Sequence, residues 1–502
     1  MKTYVIPVAL ISVLVVSMYS SLVGAFYQQD EWQTIGNNIV LKNLYEVFTN
    51  VDPLSFFSVQ EIFAANALSY FLMGKFAFSG IGVMGIYSII FHAVNSILVY
   101  FLIRKWAIKD NTFALFGSIF FSVSVVSSSA VSWFGTSLGT LPAVTLILTS
   151  LIFYFRYLEK LKRKWLFLTL FSLYISFFFK EIGIFLLLFL PFASLMFNRY
   201  SKKNFAKNFW LFFAIFLFTV SIRTIKLVFF SDRSGELFVT ASEENLLPIV
   251  VSRIIMYPLT SMSLAFIPQQ LLLDFAKFFT NIYYPFVPSE HFNLIAQTVV
   301  IDVMAVTCTF ILGIFVYLAL KGKNSEVKNR IVFWVIFFVL SFLPYVLLSK
   351  SFAYLESRYY YLSNLPAGIL LAFLGLSLKS FLDKRGLGKL SFFLISFFLI
   401  IHFNFLGKEL SSLLLVSNER RNFLTRLTNI TPKLENTRNV FFVTGNHDFY
   451  IPANFVPFQQ GMGYTIMVWY YRGGNVPKEL IKERFLWNLN TQGYREMNNR
   501  GF

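Results

Sequence analysis

The chain has 502 residues, of which 56% are hydrophobic and 14% charged, and its mean hydropathy is +0.64. Soluble globular domains carry about 25% charged residues, so this composition excludes that class and indicates a membrane protein with several spans. The formal net charge is +18, but the basic residues lie in short loops between apolar runs. Nucleic-acid-binding proteins concentrate basic residues in one polar domain, so we expect no nucleic-acid partner.

Few residues could form a disulfide or a metal site. The one cysteine, Cys308, lies inside an apolar run, so no intramolecular disulfide and no thiolate site is expected. The four histidines have no spacing typical of metal ligands; they are His92, His291, His402 and His447. We predict no metal site built from cysteine or histidine ligands.

Eleven apolar runs are candidates for crossing a bilayer, which takes about 17 to 25 residues. They lie near 5–26, 82–103, 112–131, 135–155, 165–179, 182–197, 208–230, 297–320, 331–349, 361–382 and 389–406. The first run is too long for a signal-peptide core and lacks a cleavage site, so we expect it to be retained. Runs 165–179 and 182–197 meet at Lys180-Glu181 and could form one block around a buried ion pair, but the charge pattern favours two crossings.

Five connecting loops contain twenty Lys and Arg against four acidic residues, and they are 104–110, 156–164, 198–208, 321–330 and 379–389. Basic loops favour the cytoplasmic side, and with eleven spans and an inner N-terminus all five lie inside. The outer segments are then 27–81, 132–134, 180–181, 231–296, 350–360 and 407–502. Three polar islands therefore face one compartment: Asp30-Glu31, Lys180-Glu181 and Glu356-Ser-Arg358.

The outer loops have patterns of their own. In 27–81, Ile39 to Phe48 has one apolar helical face, and Pro53 to Lys75 has a similar pattern, which predicts helices in the membrane interface. In 231–296, the apolar stretch Leu246 to Ile267 is long enough to cross. Three prolines and Arg253 argue against an unbroken span, so we predict an interfacial or re-entrant segment.

After residue 406 the composition becomes polar, which divides the chain into a membrane core, 1–406, and an extracytoplasmic C-terminal region, 407–502. Leu410 to Leu427 has the pattern of an amphipathic helix. Val440 to Val443 and Tyr464 to Tyr471 resemble strands bounded by turn residues. We therefore predict a small α+β region here.

The motif Thr444-Gly-Asn-His-Asp448 follows one of these strand-like runs. It resembles one signature of the binuclear metallophosphoesterases. That family needs further ligand motifs, which this chain lacks, and no histidine follows His447. We interpret the motif as a turn.

Each polar island has an ordinary explanation beside a functional one. Asp30-Glu31 could be the solvated flank of the first span, and Lys180-Glu181 could be a local ion pair. Burying such a pair costs several kcal/mol per ion, which favours a polar cavity. The loop Ser349 to Leu362 combines Arg358 with four tyrosines, which suits phosphate oxygens or an aromatic belt.

Taken together, the motifs resemble those of the polytopic C-type glycosyltransferases, in particular the protein O-mannosyltransferase-like group and its tetratricopeptide-bearing relatives. The order is Asp30-Glu31, Phe91-His-Ala-Val-Asn95, Phe179-Lys-Glu-Ile182 and Glu356-Ser-Arg-Tyr-Tyr-Tyr-Leu362. The resemblance covers about residues 1–380. Ser357 is an insertion in the Glu-Arg-Tyr pattern, and the tail has no tetratricopeptide repeats, which leaves the acceptor open.

The resemblance implies an all-α polytopic fold of about eleven spans and a hexosyltransferase that uses a polyprenyl-phosphate sugar, mannose-like. Transfer would go with inversion to a hydroxyl of a protein or glycan acceptor on the outer face. Asp30 would be the base and Glu31 would shape the site, while Lys180 and Arg358 would bind the donor phosphate. Four residues would support them: Glu181, Glu356, Tyr359 and His92. No cofactor is required beyond the lipid-linked donor, and the need for a divalent metal is left open.

Two other classes remain as alternatives. A lipid-linked-sugar flippase or transporter would place ionisable residues near the midplane of its spans, whereas here the polar islands lie at one face. A scaffold that presents the tail would leave Asp30 and Arg358 dispensable. We expect a multi-pass protein of a prokaryotic cytoplasmic membrane rather than of the endoplasmic reticulum, with its site on the extracytoplasmic face.

Overall fold

The computed structural model describes residues 2–28, 31–39, 43, 64–197, 202–230, 246–284, 286, 291–292, 295–346, 355–433 and 462–473. Within these ranges the chain is helical and contains no strand. The helices are α1 (Lys2–Tyr19), α2 (Glu31–Ile39), α3 (Ala64–Phe76), α4 (Val83–Leu102), α5 (Asn111–Val123), α6 (Ser129–Ser132), α7 (Phe134–Lys160), α8 (Arg163–Phe177), α9 (Leu186–Met196), α10 (Lys202–Phe230), α11 (Leu246–Leu264), α12 (Gln269–Tyr283), α13 (Ile301–Leu320), α14 (Ser325–Leu340), α15 (Asn364–Asp383), α16 (Gly388–Ile430) and α17 (Met462–Tyr470).

Short 3₁₀ and π turns precede or follow several of these helices. The 3₁₀ turns are Ser20–Gly24, Val125–Ser127, Glu181–Gly183, Leu343–Tyr345 and Ser357–Tyr360, and the π turns are Ile103–Ile108 and Ala296–Val300. Two helix starts are encoded locally by capping residues. The Asp110 side chain accepts hydrogen bonds from the backbone N–H groups of Thr112 and Phe113, and Asn324 accepts one from Val327.

Eight helices among the described residues are long and apolar enough to cross a membrane, or nine if one bent pair counts as a span. The protein is therefore a multi-pass membrane protein. The sequence predicts eleven spans, and three of the predicted runs form helices that are too short to count among these eight. The predicted runs 165–179 and 182–197 yield helices of only 15 and 11 residues, α8 and α9. Run 112–131 yields a helix of 13 residues, α5.

The candidate span 112–131 is not one continuous helix. Helix α5 ends at Val123, the backbone of Ser124 is extended, and a 3₁₀ turn and the four-residue helix α6 follow. Two serines of this stretch bond to nearby carbonyls: Ser127 to Ser124 at 3.5 Å and Ser128 to Val125 at 2.8 Å. Such local bonds compete with helical ones. We name the segment Ser124–Gly135, between the body of α5 and that of α7, the serine connector.

The ends of the helices that carry basic loops lie together. Lys105, after α4, forms an ion pair with Glu159 of α7 at 3.1 Å, and Lys109 lies 3.8 Å from Glu326 of α14. The Asn329 side chain of α14 donates to the carbonyl of Met196, the last residue of α9. Four of the five basic loops thus lie at or beside one end of the bundle, as the charge pattern predicts. Which side of the membrane this end faces stays a prediction.

The stretch predicted as interfacial or re-entrant forms the bent pair α11–α12, whose axes differ by 103°. Arg253 in α11 donates to the carbonyl of Val346, just after α14. Ser263, at the other end of α11, bonds to Ala305 and Thr309 inside α13, and His402 within α16 contacts the carbonyl of Phe266. Helix α11 therefore enters the bundle and stops beside the interiors of α13 and α16, which favours a re-entrant segment.

The C-terminal region departs from the predicted α+β arrangement. Residues 410–427 are helical as expected, but they continue the span without a break, and α16 has 43 residues across the predicted boundary at 406. The strand predicted at Tyr464 to Tyr471 is wrong, because Met462–Tyr470 is helix α17. Adjacent positions of α17, such as Val468 and Trp469, are both buried, and the helix packs against α2 and α16. Burial on several faces therefore gives this short apolar run no strand-like alternation. Val440 to Val443 and the motif at 444–448 lie outside the described residues.

Helices α5 and α15 pack with their backbones in contact. A Cβ on Gly368 of α15 would lie 2.6 Å from the carbonyl oxygen of Gly117 in α5, and a Cβ on Gly117 would press even closer on the carbonyl of Gly368. Small residues allow this close approach of membrane helices. The contact holds α15, which follows the segment that carries Arg358, against α5, which leads into the serine connector.

We expect Gly117→Ala to destabilise the fold by about 1–3 kcal/mol, because the added methyl overpacks a contact between two backbones. The matched control is Gly313→Ala in α13, where a Cβ would meet nothing within 4 Å. Alanine is favoured over glycine in a helix by about 0.5–1 kcal/mol, so this control should melt no lower than the wild type. Thermal unfolding of the purified proteins in one detergent measures both, and equal melting temperatures would contradict the close packing.

Candidate functional site

Two of the three predicted polar islands meet at the serine connector. The Ser129 hydroxyl contacts that of Ser357, and the Arg358 guanidinium lies 4.6 Å from the ring centroid of Trp133. From the other side, the backbone N–H of Gly135 donates to Glu31 Oε1 at 3.0 Å. The connector therefore brings the segment after α1 and the segment before α15 to one place.

Lys180 joins the same site from the break between α8 and α9. Its backbone is extended, with φ −167° and ψ 137°, and Nζ donates to the Thr140 hydroxyl of α7 at 2.9 Å. Nζ lies 6.0 Å from the ring centroid of Tyr359, and Arg358 Cζ lies 5.0 Å from the same centroid. The two predicted phosphate-binding cations thus lie beside the same tyrosine ring, although 178 positions separate them in the sequence.

Acidic neighbours surround both cations. Arg358 Nε lies 2.7 Å from Glu356 Oε2, and the Arg358 side chain is 23% exposed. Burial, reinforced by the positive charge of Arg358, lowers the pKa of Lys180 to about 8, while Glu181 and Glu356 act in the opposite direction. Burial also raises the pKa of the Tyr359 hydroxyl. A bound anion would relieve the repulsion between the two cations, so the arrangement is suited to a phosphate.

Glu31 is held as a structural carboxylate. It is 1% exposed, its Oε2 accepts from the backbone N–H of Gln28 at 2.7 Å, and its Oε1 accepts from Gly135. With both oxygens bonded to backbone amides, Glu31 fixes the loop after α1 onto the start of α7. Asp30, the expected base, lies outside the described residues, but both of its described neighbours along the chain, Gln28 and Glu31, are placed by this contact.

His92 is buried inside the bundle, next to the segment that carries Arg358. Its Nε2 is 2.9 Å from the carbonyl of Ser122, so Nε2 must donate, and Nδ1 then accepts from the Tyr361 hydroxyl at 2.8 Å. The Asn95 amide donates to the same hydroxyl at 3.2 Å. His92 and Asn95 of the predicted motif therefore fix the position of Tyr361, two residues from Tyr359. Both act on the site through that segment.

Several residues that the sequence did not single out contribute to the site. Trp133 and Thr140 contact the two cations, and Glu409 of α16 accepts a hydrogen bond from Ser128 at 2.6 Å. Arg420 of α16 donates to the carbonyl of Tyr27 at 3.1 Å. The serine-rich run 122–132 was the available signal for the connector, because so many hydroxyls inside an apolar stretch need partners.

Among the described residues, no group of three or more His, Cys, Asp or Glu is arranged to hold a metal ion. No family model matches the chain, and no curated protein is similar to it. The function is therefore inferred from the residues and geometry of this site.

The neighbours of Lys180 give a test that needs no substrate. We expect competitive amine labelling with mass spectrometry to give Lys180 a pKa of about 8, below that of an exposed lysine. Arg358→Gln removes a like charge and should raise this pKa, whereas Glu181→Gln removes an opposite charge and should lower it. A Lys180 pKa that does not differ from that of an exposed lysine, with no response to either variant, would contradict the described cation pair.

Proposed function

We propose that this protein is a membrane glycosyltransferase that moves a mannose-like sugar from a polyprenyl-phosphate donor to an acceptor hydroxyl. One observation carries the proposal: Lys180 and Arg358 flank the Tyr359 ring beside the connector to which Glu31, directly after Asp30, is bonded. A cation pair for a leaving phosphate and a carboxylate base are the two parts that this reaction needs.

The proposed step is a single displacement at the anomeric carbon. The acceptor oxygen forms a bond to C1 while the bond between C1 and the phosphate oxygen breaks, which inverts the configuration. The acceptor proton passes to the Asp30 carboxylate. The lipid phosphate leaves with one more negative charge than the donor carried, and Lys180 and Arg358 stabilise that charge.

Several features support a lipid-linked donor. The cations lie at one end of a bundle of apolar helices, where a phosphate on a membrane-embedded chain would be found. Four of the five basic loops lie at or beside the opposite end, so the positive-inside tendency favours a site on the extracytoplasmic face. The acceptor would be a protein or a glycan, and the host membrane a prokaryotic cytoplasmic membrane.

Arg358 is expected to contribute affinity for the donor. A charge-assisted bond to phosphate contributes about 1.5–3 kcal/mol, so Arg358→Ala should weaken donor binding about 10- to 100-fold. Arg385→Ala removes an exposed guanidinium that follows α15 and is no part of the described cation pair, and it should leave binding unchanged. Binding of a fluorescent polyprenyl-phosphate sugar to protein in nanodiscs measures both. Unchanged affinity in folded Arg358→Ala would leave Arg358 as part of an aromatic belt.

Asp30 is expected to act as the base in the transfer step and therefore to determine kcat. Asp30→Asn removes the base and should lower kcat about 10²–10⁴-fold, with melting temperature and donor affinity near those of the wild type. Glu31→Gln removes the same charge one residue away. Because an amide has one acceptor oxygen where Glu31 uses two, this variant should instead lower the melting temperature.

Sugar transfer by purified protein, with melting in the same detergent, separates the two effects. Wild-type turnover in folded Asp30→Asn would remove Asp30 as the base. A wild type that binds polyprenyl-phosphate sugars but transfers from none of them would favour the flippase instead.

A further inference from the structure

The loop between α1 and α2 is bound by the outer continuation of α16. Ser417 Oγ accepts from the backbone N–H of Phe26, Arg420 Nη1 donates to the carbonyl of Tyr27 at 3.1 Å, and Arg421 Nη2 donates to the carbonyl of Gly24 at 2.9 Å. We call Ser417, Arg420 and Arg421 the α16 clamp. These residues are nearly 400 positions away from the loop in the sequence.

Electrostatics reinforce the clamp. The Arg420 side chain has no exposed surface. Burial lowers the pKa of Arg420 to about 10, while Glu31 and Glu419 act in the opposite direction and offset part of the cost of burying its positive charge. A buried guanidinium without a carboxylate, or a buried carboxylate without a cation, is strongly destabilising. Glu31 is thus held by backbone amides on two sides and by the charge of the α16 clamp.

The geometry of α16 explains how it can hold the loop. The helix continues from the membrane span to Ile430 without interruption, so residues 417–421 are rigidly connected to the bundle. The loop is further packed by aromatic rings: Phe26 lies 5.4 Å from Trp32 and 5.7 Å from Trp469 of α17, and Arg421 lies 5.2 Å from the Phe26 ring.

We infer that the α16 clamp positions residues 24–28, the part of the loop that leads to Asp30 and Glu31, with Arg420 as its main positioning residue. The inference rests on the proposed function for the role of Asp30. A base that is displaced by about 1 Å can lose about 10²-fold in rate, whereas the phosphate-binding cations stand on other segments. Loss of the α16 clamp should therefore lower kcat and leave donor affinity unchanged.

The first measurement concerns the loop itself. Hydrogen–deuterium exchange of the full-length protein in nanodiscs is compared between wild type, Arg420→Ala, Ser417→Ala and Arg426→Ala. We expect exchange in residues 24–31 to become about tenfold faster in Arg420→Ala and about fivefold faster in Ser417→Ala, which loses one neutral hydrogen bond. Arg426 is an exposed arginine of the same helix, so Arg426→Ala removes the same charge and should exchange like the wild type.

The second measurement is sugar transfer by the same variants. We expect Arg420→Ala to lower kcat about 10- to 100-fold with an unchanged donor Kd, and Arg420→Lys, which keeps the charge, to recover part of the loss. Ser417→Ala gives a milder variant if Arg420→Ala does not fold. A general loss of structure would instead change kcat and donor Kd together and would lower kcat in Arg420→Lys as much as in Arg420→Ala.

The two measurements separate the possible failures. Unchanged exchange in folded Arg420→Ala and Ser417→Ala would overturn the α16 clamp. Faster exchange with unchanged kcat would overturn its role in positioning the base. If the wild type transfers sugar from no donor, the proposed function fails and the catalytic role fails with it, while the exchange data still decide whether α16 holds the loop.

Discussion

The end of the bundle that carries the serine connector depends on one constraint: most polar groups of this connector are buried among apolar helices and need hydrogen-bond partners there. A broken helix leaves hydroxyls and backbone groups without their usual partners, and burying such groups unpaired is costly. The connector finds partners on three distant segments. Ser127 accepts from Asn364 at 2.6 Å, Ser128 donates to Glu409, and Gly135 donates to Glu31. These bonds bring the polar residues of the chain together.

The cation pair illustrates how the same environment can serve binding. Lys180 and Arg358 repel each other, and burial disfavours the charge on Lys180. Glu181 and Glu356 offset part of this cost and leave both cations beside Tyr359. An incoming phosphate group would offset much more, because its negative charge would face both cations in partly buried surroundings. A bound anion would therefore stabilise this pair of cations, which is the property that the proposed donor site requires.

The length of α16 connects the membrane core with the outer region. The change in composition at residue 406 predicts a boundary between two regions, and the residues beyond it are indeed more polar. The structure places no break there, because α16 continues and its outer part binds the loop before α2. A helix that is both span and clamp fixes that loop relative to the bundle more firmly than a flexible linker could.

The sequence by itself determined the membrane class, most of the helices, the common end of the basic loops and the identity of the two cations. These follow from local composition and periodicity. Only the tertiary structure decided that α5 stops at Val123, that residues 462–470 are helical, and that Thr140, Glu409 and Arg420 lie at the same end of the bundle as the candidate site. The physical reason is that each of these outcomes depends on partners far away in the sequence, such as Arg420 and Tyr27, 393 positions apart. Local patterns specify which face of a segment is apolar, whereas packing specifies which distant polar groups it must satisfy.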